Sequence, residues 1–268
     1  MRFSEPLVPG TLIRREKRFL VHVRLEGGRT IVAHTNNTGS MLGANEPGSR
    51  VWLSPADHPH RRLKWTYELV EARPGVLVGI NTLAANRLAA EAIEADVIPE
   101  LRGHDALRRE VRVAGGGRID LLLEGAAGRC WVEVKNVTLV ERGRALFPDT
   151  VTERGRRHLA VLSERVAAGD RAAMLYVVQR RDARRFAPAD AIDPAYGAAL
   201  REAAAAGVEV LAWRARVTPE EIVLARALPV DLSLPVDADS PRGTAARPGR
   251  SRGGATGRRR GRATKAAR

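Results

Sequence analysis

Over roughly the first eighty positions, apolar and polar residues alternate in short runs. The runs at 10–13, 19–25, 29–34, 50–53 and 65–72 are rich in β-branched, aliphatic and aromatic side chains, the pattern of half-buried strands. Turn-forming stretches separate them, among them Glu26-Gly27-Gly28 and Thr35-Asn36-Asn37-Thr38-Gly39-Ser40. Five strands in so short a span predict a small closed barrel, and a five-stranded OB-like β-barrel over residues 1–80 fits best.

From Asn81 the period lengthens. A helix is predicted over 82–97, with Thr82 as its cap and Ala84, Leu88, Ala92 and Ala95 as its apolar stripe. Strands follow near 109–114, 117–123 and 130–137, the last two joined by a glycine-containing hairpin at 125–128. Thr150-Val151-Thr152-Glu153 has capping-box spacing and opens a helix that Gly169 stops. A buried strand at 172–178, a helix from Pro194 to Ala206 closed by Gly207, and a last strand at 208–213 complete the order α-β-β-β-α-β-α-β. Residues 81–232 therefore read as an α/β domain, and 233–268 as an extension of it.

Composition adjusts this picture in two ways. The 268 residues are 44% hydrophobic, enough for real cores, yet contain no 18-residue apolar run, and the N-terminal residues lack the apolar stretch of a signal peptide. One cysteine, Cys130, rules out an intrachain disulfide or a cysteine-based zinc cage. A cytoplasmic location is expected. The net charge of +14 is unevenly spread: ten Lys or Arg and no acids lie between Arg242 and Arg268, leaving 35 basic against 31 acidic residues, or +4, in the rest. That segment has no hydrophobe larger than Ala and is predicted to be a disordered basic tail touching phosphates loosely, for example through Arg258, Arg259 and Arg260.

The candidate chemistry lies on the two hairpin strands. Asp120 stands on the first, and Glu133-Val134-Lys135 follows thirteen residues later on the second. Side chains alternate along a strand, so Glu133 and Lys135 share one face while Val132 and Val134 point into the core. Hard divalent cations prefer carboxylate and carbonyl oxygens. Asp120, Glu133 and the carbonyl of Val134 suit Mg²⁺, with Mn²⁺ as a substitute, while Lys135 orients the attacking water. An ordinary solvated strand face explains so short a motif equally simply. Against that reading, the chain has 41 Arg and only 4 Lys, so lysine is an uncommon choice here, and unlike Arg its amine is tunable.

This element order, with an acid on the second strand and Glu-x-Lys on the third, resembles the PD-(D/E)XK phosphodiesterase superfamily, although Ile119 stands where that pattern often has proline. The resemblance implies a further acid on the first helix, a place that Glu91 fits. A finer resemblance runs through Pro9-Gly10-Thr11-Leu12-Ile13-Arg14-Arg15, His34 to Met41, Val132 to Thr138 and Phe147 to Gly155. These four stretches look like the sugar fermentation stimulation protein family, except that Thr35-Asn36 replaces an expected Cys-Pro. Membership implies an OB-like domain followed by a nuclease-like domain, DNA binding, and a link by name to sugar-utilisation genes.

Two functions follow as expectations. One is a Mg²⁺-dependent nuclease acting on DNA, with RNA not excluded; the alternative is a non-catalytic DNA-binding regulator that retains a nuclease fold. In either case the barrel is expected to hold nucleic acid on a face containing Trp52, Arg61, Arg62, Lys64, Trp65 and Tyr67, aromatics for stacking beside cations. Arg14, Arg15 and Arg154 are further phosphate candidates. Glu153 reads as a capping acid and His158 as a surface histidine, with an outer role at the metal site as the other reading. No P-loop ending, nucleophile elbow or dinucleotide fingerprint occurs, and no base-reading helix can be identified.

Overall fold

The computed structural model describes residues 1–56, 60–113 and 117–234. The chain opens with β1 (Val8–Glu16), β2 (Leu20–Leu25), β3 (Thr30–His34), β4 (Arg50–Pro55), β5 (Trp65–Arg73) and β6 (Val76–Gly79). Their order is β3-β2-β1-β4-β5-β6, and a β3–β5 pairing at His34 and Thr66 closes the first five into a barrel. Alternation decides what fills it: Val21 and Val23 point inward while Arg24 of the same strand faces water. Leu12, Val51, Leu53, Tyr67, Val70 and Val78 complete the interior. β6 was not expected from the pattern; it continues the sheet beyond β5.

The second part contains α1 (Leu83–Glu94), β7 (Ala106–Arg112), β8 (Arg118–Gly125), β9 (Gly128–Val137), β10 (Leu139–Glu141), β11 (Arg144–Phe147), α2 (Glu153–Ala167), β12 (Arg171–Val178), β13 (Arg185–Pro188), α3 (Pro194–Ala205), β14 (Glu209–Val217) and β15 (Ile222–Ala227). Six of these strands form one sheet in the order β15-β14-β12-β9-β8-β7, with β12 parallel to both β9 and β14. α1 packs on one face against Val132, Val134, Leu175 and Val177. α2 and α3 cover the other face, over Trp131, Met174 and Tyr176. The α/β fold expected after the barrel is therefore present, with both faces of its sheet buried.

Several local expectations need correction. Thr82 does not cap α1; the Asn81 side chain accepts the Leu83 N–H instead, at 3.1 Å. α2 opens at Glu153 and is capped by Thr152, whose hydroxyl accepts from Gly155 N, so the Thr150 capping box is not formed. The strand at 208–213 is longer, and β15 follows it as the sheet's edge. The short sheet β10-β11-β13 was also missed, because strands of three or four residues carry too little period-two signal. Ala114, the predicted end of the strand near 109–114, lies outside the described residues, as does the predicted tail from residue 235 onward.

Barrel and α/β part share a seam. Gly79 N donates to the Gln179 carbonyl at 2.9 Å, and Val78 bridges Arg180. A Cβ on Gly79 would stand 2.1 Å from the Gln179 side-chain oxygen, so any larger residue would have to displace that side chain. Trp52 and Leu69 of the barrel belong to the same apolar cluster as α1.

Candidate functional site

Strands β8 and β9 pair from Gly125 with Gly128 down to Leu121 with Val132, and there the ladder stops. Just beyond it, Asp120 accepts the Val134 backbone N–H on Oδ2 at 2.8 Å. A side-chain oxygen thus replaces the carbonyl that a continued ladder would have supplied. Its other oxygen accepts from the Asn86 amide of α1 at 2.7 Å. Both oxygens are held, so the carboxylate has one orientation.

Glu133 follows the predicted alternation, but the face it shares with Lys135 is roofed by α2, leaving Glu133 2% exposed. Lys135 Nζ donates to Glu133 Oε1 at 2.5 Å, and His158 Nδ1, one turn into α2, meets the same oxygen. Arg154 donates to His158 Nε2 at 3.3 Å, which leaves Nδ1 turned toward Glu133. His158 is therefore not the surface histidine read from the sequence. Its helix is fixed by Asp193, the cap of α3, which also accepts the Thr152 N–H at 2.9 Å. Gly155 allows this crowding, since a Cβ there would lie 2.9 Å from the Tyr196 ring.

The electrostatics are asymmetric. Burial pushes the Glu133 carboxyl up, but the His158 hydrogen bond and the Lys135 charge outweigh it and hold the group below the ordinary value. Asp120 is pushed up to about 6, first by burial and then by the neighbouring Glu133 charge, against the opposing Val134 N–H, Lys135 and Asn86. Meanwhile Glu133 Oε2 is buried without any hydrogen-bond partner. An ionised oxygen left this way is costly, and a cation would satisfy it. Two hard oxygen donors fit a divalent ion such as Mg²⁺, which keeps several waters. Among the described residues no group of three or more His, Cys, Asp or Glu is placed to hold a metal, so further ligands would be a backbone carbonyl and water.

The other predicted site residues are placed differently. Glu91 is not brought to this cluster: it binds the Met1 amine at 2.6 Å and Arg87 at 2.9 Å. Asn86, the helix residue that does reach Asp120, carries no charge and gave no signal in the sequence. The barrel's aromatic face is corrected as well. Trp52 is 7% exposed and Tyr67 0%, both committed to cores, because a narrow barrel on a helix needs large side chains to fill it. Trp65 is partly buried against the same interior. Arg15 is an internal strut, donating to the carbonyls of Arg18, Gly39 and Asn37. Arg14 is exposed beside Glu16, Arg61 donates to Thr66, Arg62 and Lys64 are exposed, and Arg154 is exposed on α2. Arg258, Arg259 and Arg260 lie outside the described residues.

A cavity of about 270 Å³ opens beside Lys135. Residues 36–39 of the barrel, Thr82 just before α1, Asn86 of α1, the end of β9 and Asp149 line it. Asp149 ties the barrel loop down, accepting the Met41 N–H at 3.0 Å and the Ser40 hydroxyl at 2.7 Å on its carbonyl. No helix among the described residues is long and apolar enough to cross a membrane.

Comparison with known proteins agrees with this architecture. The family model described as "SfsA N-terminal OB domain" matches residues 13–80, and "Sugar fermentation stimulation protein RE domain" matches 83–221. A sugar fermentation stimulation protein homolog of Geobacter metallireducens is 58% identical over 233 residues, 87% of this chain and 100% of the relative. The homolog of Paramagnetospirillum magneticum is 52% identical over 235 residues, 87% and 99% of the two chains. The solved structure of Pyrococcus furiosus SfsA in complex with Ca²⁺ superposes with a TM-score of 0.79 at 30% identity, covering 86% of this chain and 98% of that one. The chain belongs to the sugar fermentation stimulation protein family.

Proposed function

We propose that this protein is a nuclease that hydrolyses phosphodiester bonds of nucleic acid, DNA in the first instance, with a divalent cation held by Asp120 and Glu133. One observation carries the reading: the buried, unpartnered Oε2 of Glu133 beside an Asp120 raised first by burial and then by that charge. Lys135 and His158 both meet Oε1 of Glu133, while Oε2 is the oxygen left for a cation. That the solved Pyrococcus furiosus relative is in complex with Ca²⁺ is in keeping with a divalent-cation site here. Bound there, Mg²⁺ or Mn²⁺ would neutralise phosphoryl oxygens and acidify the attacking water.

The protein's own groups divide the remaining work. Asn86 and the Val134 N–H hold Asp120 in one orientation. His158 keeps Glu133 ionised and fixes its rotamer. Lys135, tethered 2.5 Å from Glu133 and lining the cavity, orients water and offers charge to the developing phosphorane. Exposed cations Arg14, Arg62 and Arg154, with the basic segment after residue 240, are suited to phosphate contact.

The test is direct. Purified protein is incubated with single- and double-stranded DNA and with RNA, in Mg²⁺, Mn²⁺ or chelator, and compared with Asp120→Ala, Glu133→Ala and Lys135→Ala. Metal-dependent cutting that all three substitutions abolish is the expected result. No cutting with any metal, or equal cutting by the variants, overturns it; binding without cutting would leave a non-catalytic DNA-binding regulator on a nuclease fold.

A further inference from the structure

The cavity beside Lys135 has the dimensions of a small ligand site. At about 270 Å³ it lies just below the roughly 300 Å³ lower range of ligand pockets. That equals about nine water molecules' share of liquid water, the scale of one nucleobase of roughly ten heavy atoms, and far too little for a duplex.

Apart from Lys135 and Asp149, the polar part of its wall is neutral and hydrogen-bonding, built by Asn36, Thr38, Thr82, Asn86 and Asn136. Two of these amides have their polarity set from behind. Asn86 spends its NH₂ on Asp120, which leaves its carbonyl oxygen as an acceptor. Asn136 accepts from Gln179 at 2.6 Å, which leaves its NH₂ as a donor. A donor and an acceptor on one wall match the edge of an unpaired base, whereas phosphate would call for cations.

Two exposed apolar residues lie close in sequence to the cavity's rim: Leu42 follows Met41, whose N–H Asp149 holds, and Val151 lies two residues after Asp149, which lines the cavity. They are 49% and 63% exposed, among the few large apolar side chains left open to water in the described residues. Exposed apolar side chains beside a nucleic-acid site serve as wedges that replace a lost stacking neighbour.

We propose that this cavity takes a single unstacked nucleotide, with Leu42 and Val151 covering the vacated stack. The substrate class is then nucleic acid with unpaired bases, either single-stranded or locally opened, and not intact duplex. For its chemistry this rests on the nuclease reading above; for binding it does not.

The test uses the full chain in Ca²⁺ with oligonucleotides carrying 2-aminopurine in a single strand, opposite a mismatch, or in a fully paired duplex, each as DNA and as RNA. Affinity and 2-aminopurine emission are read on binding, and cutting is read separately in Mg²⁺ and Mn²⁺. The unpaired and mismatched forms should bind about tenfold more tightly than the paired one, because less unstacking is required, and emission should rise only with them. Thr38→Trp, which fills the cavity from an exposed lining position, should remove the rise, and Leu42→Ala with Val151→Ala should reduce it. Equal affinities with unchanged emission, or a full rise in both variants, overturns the inference. If nothing is cut but the emission pattern holds, the nuclease reading fails and the nucleotide site stands. If paired duplex is cut as fast as mismatched without an emission change, the reverse is true.

Discussion

The Asp120 carboxylate accepts the Val134 N–H at 2.8 Å just past the last paired residues of β8 and β9, Leu121 and Val132. The separation of the two strands and the placement of the acid are therefore one event: where the ladder ends, a side chain takes over its hydrogen bond. Glu133 lies within that gap, and helices from opposite faces of the sheet reach it, α1 through Asn86 and α2 through His158.

His158→Ala and Asn86→Ala remove groups that orient the carboxylates without replacing them. Mn²⁺ affinity, measured by calorimetry, should weaken by about 10- to 100-fold in each, the usual cost of losing an outer partner of a metal ligand. Glu91→Ala should leave it unchanged, since Glu91 is tied to Met1 and Arg87. A loss in Glu91→Ala equal to that in Asn86→Ala would contradict the placement of these residues.

Arg15 and Arg62 should separate stability from binding. Arg15 donates to three backbone carbonyls, so Arg15→Ala should lower unfolding free energy by about 1–3 kcal/mol in urea titrations, with DNA affinity reduced little in the folded protein. Arg62 is exposed; Arg62→Ala should leave stability within about 0.5 kcal/mol. If it touches phosphate, the salt slope of DNA affinity falls by about 1.

Deleting the chain after residue 240 removes ten basic residues and no acids. Affinity for DNA should weaken and its dependence on salt should flatten, because fewer counterions are released. An unchanged slope would mean that this segment does not touch the phosphate backbone.

Glu68 gives a pH signature. Burial raises its carboxyl above the ordinary value, against the opposing Ser54 and Asn81 hydrogen bonds. A raised folded-state value favours the protonated form in the fold, so its contribution is complete below the ordinary carboxylate range and is lost as pH rises through the raised value. Glu68→Gln, neutral throughout, should gain stability relative to the parent as pH is taken from about 4 to 8, followed by thermal unfolding. A difference that stays constant across that range would show that Glu68 does not titrate abnormally.

Much of the architecture was written locally. Val21 and Val23 alternate with polar neighbours and enter the barrel as expected, and Val132 and Val134 do the same in β9. Gly207, at φ +101°, ends the region of α3 where the pattern placed it. The pairing of Glu133 with Lys135 on one face likewise needed only the period of a strand. Trp52 and Tyr67 show the limit of such reading. An aromatic flanked by cations looks the same in sequence whether its ring fills a core or lies open for stacking, and only packing distinguishes the two.

The sequence by itself determined the barrel, the α/β order after it, and the strands that carry Asp120, Glu133 and Lys135, because these follow from periods of two and 3.6 and from glycine at turns. Tertiary structure alone decided that Asn86 and not Glu91 meets Asp120, that His158 meets Glu133, and that a cavity forms between the barrel loop and β9. Those contacts join residues 25 to more than 100 positions apart, and their geometry depends on how α1 and α2 seat on the sheet, which no local pattern specifies.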